Sequence, residues 1–479
     1  LPSAPDISSG SALHGPYQTG LRSGPLGAQQ PFSGLAGSLL VLAVGLYLIG
    51  LLLLHVAFAY STNPALREAL FGFLALRSPV AAASRGAVFF VLGVACLFAG
   101  HALLLNGSSV AFGNRRQGTV WGMLALLSLL YVSLPPFLST DVLSYYQQGW
   151  LIVEKGTSPY ITPPGAYGEF PGMRFMKGQN YWVLSPYGPL WSQVEALVYR
   201  VTGGSLWLGV AVFKLLAAGS VWLLAYLVWA ILQRSDPANA TRGALLVGTN
   251  PLLLVEGAGM AHNDVVALAV AFVGLALVHR GGENRTVAGL ALIGVSLLIK
   301  ALAAVVPFAL AVYWIRVLGL KRLLRLAFKA ALLWVPVAVA SGMAFVNRPA
   351  DVWLLFGSAN ARLPYEIRYT PVNTLRDELV QHSASIGVPL DPVHTKVVLL
   401  VVAFGGVVAF MIFLLARART LFDALKAVGP GYIGVTVAAS YWRQWYAAWP
   451  VPFVALGQSR LWTGVAIAYS AGALLTLTQ

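Results

Sequence analysis

Charge is scarce in this sequence. Only 10% of its 479 residues are Asp, Glu, Lys or Arg, while 58% are apolar, giving a mean hydropathy of +0.74. A soluble globular chain carries about 25% charged residues. So few charges cannot cover a surface that meets water, which excludes a soluble globular domain and calls for lipid against much of the chain. Cysteine is nearly absent as well. Cys96 stands alone in an apolar run, so neither an intrachain disulfide nor a cysteine metal centre can form. A starting Met is missing from the Gly-, Ser- and Pro-rich stretch 1–34, which reads as a flexible or processed tail. No signal-peptide pattern stands there, and the first long apolar run, 38–59, has the length of a retained span. The net charge is +15, yet the cations are scattered over short segments between apolar runs. That is the pattern of membrane topology and of contact with anionic lipid, not of a nucleic-acid-binding surface.

What is present is a succession of apolar runs, near 38–59, 86–105, 119–138, 206–232, 242–256, 263–279, 286–300, 301–317, 327–346, 396–416, 425–440, 444–457 and 460–478. They predict an all-α polytopic membrane protein of about thirteen helices (eleven to thirteen). Several runs are too short to cross about 30 Å of hydrocarbon unaided, and such runs are tolerated inside a bundle or as paired half-helices. The expected organisation is one transmembrane domain over 35–479, with loops 139–205 and 346–395 covering the active site. Placing the N-terminus in the cytoplasm puts Arg115, Arg116, Arg234, Arg242, Arg280, Arg285, Arg316, Lys321, Arg322, Arg325, Lys329, Arg417, Arg419, Lys426 and Arg460 in cytoplasmic loops, against Asp236, Glu283 and Asp423. Loop 60–85 runs against the rule, with Arg67, Arg77 and Arg85 outside. The sum satisfies the positive-inside rule. In that orientation Asp141, the 256–264 corner, Lys300 and Arg443 all fall on the outer face, where convergent polar groups predict a site.

Five segments carry the chemistry. In PPFLSTDVLSYYQQGW, residues 135–150, a helix beginning near Ser139 puts Asp141 and Tyr145 on one face, with Tyr146, Gln147 and Gln148 following. Asp141 has two readings: an acid capping a helix above an interfacial aromatic belt, or a carboxylate beside a low-dielectric surface serving as general base. In NPLLLVEGAGMAHNDVVALAV, residues 250–270, Asn263 or Asp264 can cap the helix that follows. Capping leaves Glu256 and His262 unexplained. A charge in the middle of a span costs about 2.5–3.5 kcal/mol and is functional by default. Lys300, in SLLIKALAAVVP, either snorkels to the interface or meets Glu256, Asp264 or an anionic phosphate. Arg362, Tyr365, Arg368, Tyr369 and Arg376 give loop 346–395 groups suited to phosphate or sugar hydroxyls, though an outer loop is polar in any case. In SYWRQWYAAWP, residues 440–450, Trp442, Trp445, Tyr446 and Trp449 surround Arg443, which suits a phosphate at headgroup depth.

Taken in order, STDVLSYYQQG at 139–149, YGPLW at 187–191, NPLLL at 250–254 with AHNDVVAL at 261–268, LLIK at 297–300 and RQWYAAWP at 443–450 resemble the actinobacterial polyprenyl-phospho-mannose-dependent α-1,6-mannosyltransferases. The resemblance extends from about residue 35 to the C-terminus. It implies a GT-C glycosyltransferase bundle in the plasma membrane that extends the mannan backbone of lipomannan from the outer face. It also implies a polyprenyl-phosphate sugar donor, a glycolipid or polysaccharide acceptor, and an essential acid in the first large outer loop, at Asp141. The chemistry suits the residues. A carboxylate takes the acceptor's proton, and the departing lipid phosphate calls for cations, for which Lys300, Arg443 and Arg368 are the candidates. Tyr145, Tyr146, Gln148, Tyr187, Glu256, His262, Asn263, Asp264 and Tyr369 are candidates to bind sugar or acceptor. A β-linked donor attacked in line gives an α product with inversion. No cofactor is required by this scheme, and a divalent metal at Asp141 and Asp264 is left open. The rival readings are a transporter or flippase of lipid-linked sugars, though no internal repeat is seen, and a non-catalytic lipid-binding scaffold.

Overall fold

In a lipid interior every backbone N–H and C=O must be bonded within the protein, which favours helices. The computed structural model describes residues 33–59, 81–111, 117–176, 180–346 and 370–476, and among these there is no strand. Helices α1 (Ser33–Ala59), α2 (Ala81–Ala111) and α3 (Gln117–Val132) come first. After α3 the chain meets Pro135 and Pro136, which lack the donors needed to continue a helix. Helices α4 (Asp141–Glu154) and α5 (Pro189–Val201) stand in the polar stretch that follows. Next come α6 (Leu206–Ser235), α7 (Ala240–Gly248), a π-helical turn (Leu253–Gly259), α8 (Asp264–Arg280), α9 (Glu283–Leu297), α10 (Val305–Leu318) and α11 (Leu320–Gly342). The chain ends with α12 (Pro371–Ser385), α13 (Pro392–Arg417), α14 (Leu421–Ala438), α15 (Pro450–Gly457) and α16 (Arg460–Leu475).

Six helices among the described residues are long and apolar enough to cross a membrane. The π-helical turn and α8, bent by 103° at their junction, would make a seventh span. Other expected runs are shorter helices, and two are split. The run 242–256 divides into α7 and the π-helical turn, and 444–457 into a 3-10 turn (Gln444–Ala448) and α15. Prolines 450 and 452 fall at that second split. Helix α13 buries only Met411 and Leu415, packs Val407 and Leu414 against the core, and turns most of its other apolar side chains outward as a lipid-exposed span does.

The bundle has two chemically distinct ends. Helix α6, thirty residues long, is about 45 Å from end to end. Past its C-terminal end, Ser235 Oγ meets His279 Nε2 at 2.9 Å and Arg242 donates to Gln458 Oε1 at 2.6 Å. Arg316 donates to the carbonyls of Ala416 and Ala418, and Lys329 pairs with Glu283. The cation-rich connections are therefore gathered at one end. Toward the other end the buried Lys214 of α6 donates to the carbonyl oxygens of Val132 (3.2 Å) and Leu134, satisfying acceptors left open where α3 stops.

The turn into α8 is strained. Ala261 has φ +61°, one of two non-glycine residues with positive φ among those described, a conformation costing about 1–3 kcal/mol that persists where surrounding structure imposes it. A β-branched side chain is tolerated least there. Ala261→Val should lower the thermal midpoint of the detergent-purified protein, and Ala261→Gly should leave it unchanged or raise it. An unaltered midpoint for the Val variant would show that the turn carries no such constraint.

Candidate active site

Five breaks in helical structure meet at the end away from the cationic loops: the start of α4, the segment before α5, the turn into α8, the end of α9, and residues 440–446. A cavity of about 210 Å³ opens among the start of α4, the segment before α5 and residues 440–446. Its polar lining includes Ser139, Thr140, Asp141, Ser144, Gln147, Gln148, Tyr187, Arg443 and Gln444, with the rings of Tyr441 and Trp445 alongside.

Asp141 is the first residue of α4, where the positive end of the helix dipole favours a carboxylate. The helix starts two residues later than expected. Thr140 takes the N-cap position, and Ser139 Oγ accepts the Asp141 N–H at 3.2 Å. The Asp141 side chain is 25% exposed, toward the cavity. Its Oδ2 accepts the Tyr187 hydroxyl at 3.0 Å and stands 3.5 Å from His262 Nδ1. Tyr145, one turn along α4, packs its ring against Tyr187 with centroids 5.0 Å apart. Arg443 also lines the cavity, its Nε donating to the Tyr441 hydroxyl at 2.8 Å and its guanidinium 5.8 Å from the Trp445 ring.

Behind this wall lies a buried polar layer. His262 is 1% exposed and stacks on Trp445 at 3.8 Å, with its Nε2 3.1 Å from Glu256 Oε2. Glu256 is wholly buried in the π-helical turn. Asn263 holds the N-cap position of α8, yet its side chain makes no capping bond. Its Oδ1 accepts from Lys300 Nζ at 3.3 Å, and its backbone N–H donates to the Tyr145 hydroxyl at 3.2 Å. Asp264 takes Lys300 Nζ at 3.1 Å on one oxygen and Trp449 Nε1 at 2.7 Å on the other. Lys300 therefore turns inward instead of snorkelling, between the rings of Tyr187 (5.1 Å) and Tyr446 (5.6 Å). Burying an ion pair calls for further bonds to its members, and Asn263 on Lys300 and Trp449 on Asp264 supply two of them.

The structure thus sorts the residues singled out in the sequence. Asp141, Gln148, Tyr187 and Arg443 line the cavity. Tyr145, Glu256, His262, Asn263, Asp264 and Lys300 lie behind it. Tyr146 points away, its ring against Tyr199 and the backbone of Gly209 on α6. Arg362, Tyr365, Arg368 and Tyr369 fall outside the described residues. Trp445 and Trp449 carry more of the site than their reading as a belt around Arg443 suggested, whereas Trp442 leaves it to donate to Tyr469. Gln444 and Ser144 were not anticipated; the spacing of Ser144 and Gln148, four apart on α4, was the available signal. Next to the site, Glu195 of α5 is fully buried, and burial lifts its carboxyl well above the usual carboxylate range. Among the described residues no three His, Cys, Asp or Glu side chains are grouped to hold a metal ion.

The sequence family described as "Alpha-(1->6)-mannopyranosyltransferase, N-terminal domain" matches residues 32–316. That stretch includes Asp141, Tyr187, the 256–264 corner and Lys300. The chain is 31% identical over 262 residues to "Alpha-(1->6)-mannopyranosyltransferase A" of Corynebacterium glutamicum, which is 48% of this chain and 51% of that protein. It is 29% identical over 373 residues to the protein of the same name from Mycobacterium tuberculosis, 74% of this chain and 68% of that protein. The matched stretch thus spans about half the length of the first relative. No solved structure matches the chain.

Proposed function

The chain belongs to the alpha-(1->6)-mannopyranosyltransferase family, and on that premise we propose that it moves a mannosyl group from a polyprenyl-phosphate donor to a glycolipid or glycan acceptor, forming an α-1,6 link with inversion. The observation that carries this reading is that one small cavity presents a carboxylate, Asp141, and a guanidinium, Arg443, at the end of the bundle opposite the cationic loops. By the positive-inside rule the cationic end is cytoplasmic, the N-terminus with it, which puts the cavity on the outer face. At about 210 Å³ it is smaller than the roughly 300–1,000 Å³ of common ligand pockets. It suits a single sugar ring, leaving the prenyl chain in lipid.

In this reaction the acceptor hydroxyl gives its proton to Asp141 as its oxygen bonds to the anomeric carbon. The bond from that carbon to the phosphate oxygen breaks, and the electron pair leaves with the lipid phosphate. That phosphate gains charge as it departs, and Arg443 stabilises it. Lys300, committed to Asp264 and Asn263, holds the site's geometry. Gln147, Gln148 and Gln444 supply hydrogen bonds for sugar hydroxyls, and Trp445 an apolar face. The break before α8 lies with the cavity, at the level where α3 ends, as shown by Gly259 approaching Leu134. A broken span serving transport would be expected at the midplane.

The test is transfer of radiolabelled mannose from polyprenyl-phosphate mannose to an α-mannoside acceptor by the purified protein in liposomes. Labelled α-1,6 product is expected. Movement of labelled lipid between leaflets without product would overturn the reading in favour of a flippase. Arg443→Gln should lower kcat/KM for the donor about ten- to a hundredfold, since a hydrogen bond to a charged group is worth about 1.5–3 kcal/mol. Arg443→Lys should recover part of the loss.

A further inference from the structure

Glu256 is a buried acid that the proposed transfer does not yet use. It lies in an apolar π-helical turn, away from the cavity wall, at 0% exposure. An isolated carboxylate in such a place is costly, and among the described residues the ionisable group recorded against it is the His262 imidazole. That imidazole spans the gap between two acids, Nε2 at 3.1 Å from Glu256 and Nδ1 at 3.5 Å from Asp141. Neither ring nitrogen and neither Glu256 oxygen makes a hydrogen bond among the described residues, so the two acids face the imidazole at contact distance and the ring has no competing partner there. The Trp445 ring stacked at 3.8 Å fixes the imidazole plane, and the strained turn at Ala261 delivers the residue. The other charged or titratable groups nearby are Arg443 across the Trp445 ring, Tyr187 and Tyr145 beside Asp141, and the paired Asp264 and Lys300.

We propose that Glu256 is the inner end of a buried proton relay that starts at Asp141 and runs through His262. The inference rests on the transfer reaction proposed above. The proton taken from the acceptor hydroxyl by Asp141 passes to His262 Nδ1 as the Nε2 proton passes to Glu256 Oε2. The acceptor O–H bond is broken and a glutamic O–H bond is formed; the relay requires an imidazole that begins neutral with its proton on Nε2, and it leaves the ring neutral. The negative charge leaves Glu256 and reappears on the departing lipid phosphate. Neutralising Glu256 suits its apolar surroundings, and Asp141 is returned to its ionised form for the next acceptor. After product leaves, the relay runs backward and the proton exits through the exposed edge of Asp141. Glu256 touches no substrate. It is a positioning and proton-holding residue.

Glu256→Gln keeps the shape and removes the proton acceptor. In the liposome assay it should lower kcat roughly tenfold or more, a share of what general acid–base groups contribute, with KM for polyprenyl-phosphate mannose within twofold. The proton inventory in mixed light and heavy water should be curved for the wild type and linear for the variant, a change that loosened packing would not produce. If Glu256→Gln does not give a monodisperse protein, Glu256→Asp carries the test, because the shorter acid widens the gap to His262 and should lower kcat alone. A wild-type rate and a curved inventory in the variant would sink the relay while leaving the transfer reaction standing. A wild type that transfers nothing from any polyprenyl-phosphate sugar would sink the reaction, and the relay with it.

Discussion

Asp141→Asn should lower kcat for mannosyl transfer by about 10²–10⁴-fold, the range that a positioned general base contributes. KM for the donor should change little. The amide oxygen can still accept from Tyr187, as Oδ2 does at 3.0 Å, and the residue's place at the start of α4 is unchanged. The variant should therefore fold, with a thermal midpoint close to that of the wild type. What it loses is the ability to take a proton, together with the charge that faces His262 at 3.5 Å. Initial rates with labelled donor, read beside thermal melting in detergent, separate the two possibilities. Full activity in a well-folded Asp141→Asn protein would remove Asp141 as the base and favour a binding role for the cavity. The Ala variant should be no more active, since without a carboxylate there is no base to lose.

Much of this site is legible in the sequence because lipid makes ionisable residues conspicuous. Asp141, Glu256, Asp264, Lys300 and Arg443 stand out from apolar surroundings that water-soluble chains do not have. The full-length helices are legible for the same reason: the runs 38–59 and 206–232 became Ser33–Ala59 and Leu206–Ser235. Direction is what sequence conceals. Tyr145 and Tyr146 are equally aromatic neighbours, yet a helix turns by about 100° per residue. That turn sends one ring to Tyr187 and the other to Gly209. Depth is concealed as well. His262 and Glu256 carry the chemistry of a binding wall but lie one layer behind it, because a π-helical turn and a left-handed Ala261 fold the chain inward there. Periodicity cannot signal either feature. The pairing of Lys300 with Asp264 was one of several partners the residue types permitted. Only the 103° bend before α8 and the position of α9 select it.

Gly188→Ala is the other substitution expected to have a large effect, although it alters no polar group. Gly188 has φ −73°, which any residue adopts, so the objection is space alone. A Cβ there would stand 2.1 Å from the carbonyl oxygen of Leu298 and 2.4 Å from its carbon. The close approach exists because two backbone bonds join the segments, Gly188 N–H to Ile299 O at 3.2 Å and Leu190 N–H to Leu298 O at 3.1 Å. The Tyr160 hydroxyl ties the same strut down by donating to Tyr187 O at 2.9 Å. One residue before Gly188 is Tyr187, which reaches Asp141. One residue after Ile299 is Lys300, which reaches Asp264. Spreading the segments to admit a methyl group therefore pulls on both contacts together. Overpacking of this kind costs about 1–3 kcal/mol, and a misplacement of roughly 1 Å at a reacting group costs about 10²-fold in rate. Gly188→Ala should thus lose most of its kcat and melt earlier than the wild type. Gly219→Ala, inside α6 where a Cβ meets nothing within 4 Å, should leave kcat unchanged and melt no earlier than the wild type. Equal rates for the two variants would mean that the strut does not set the position of Tyr187, and that the hydroxyl reaches Asp141 by side-chain freedom alone.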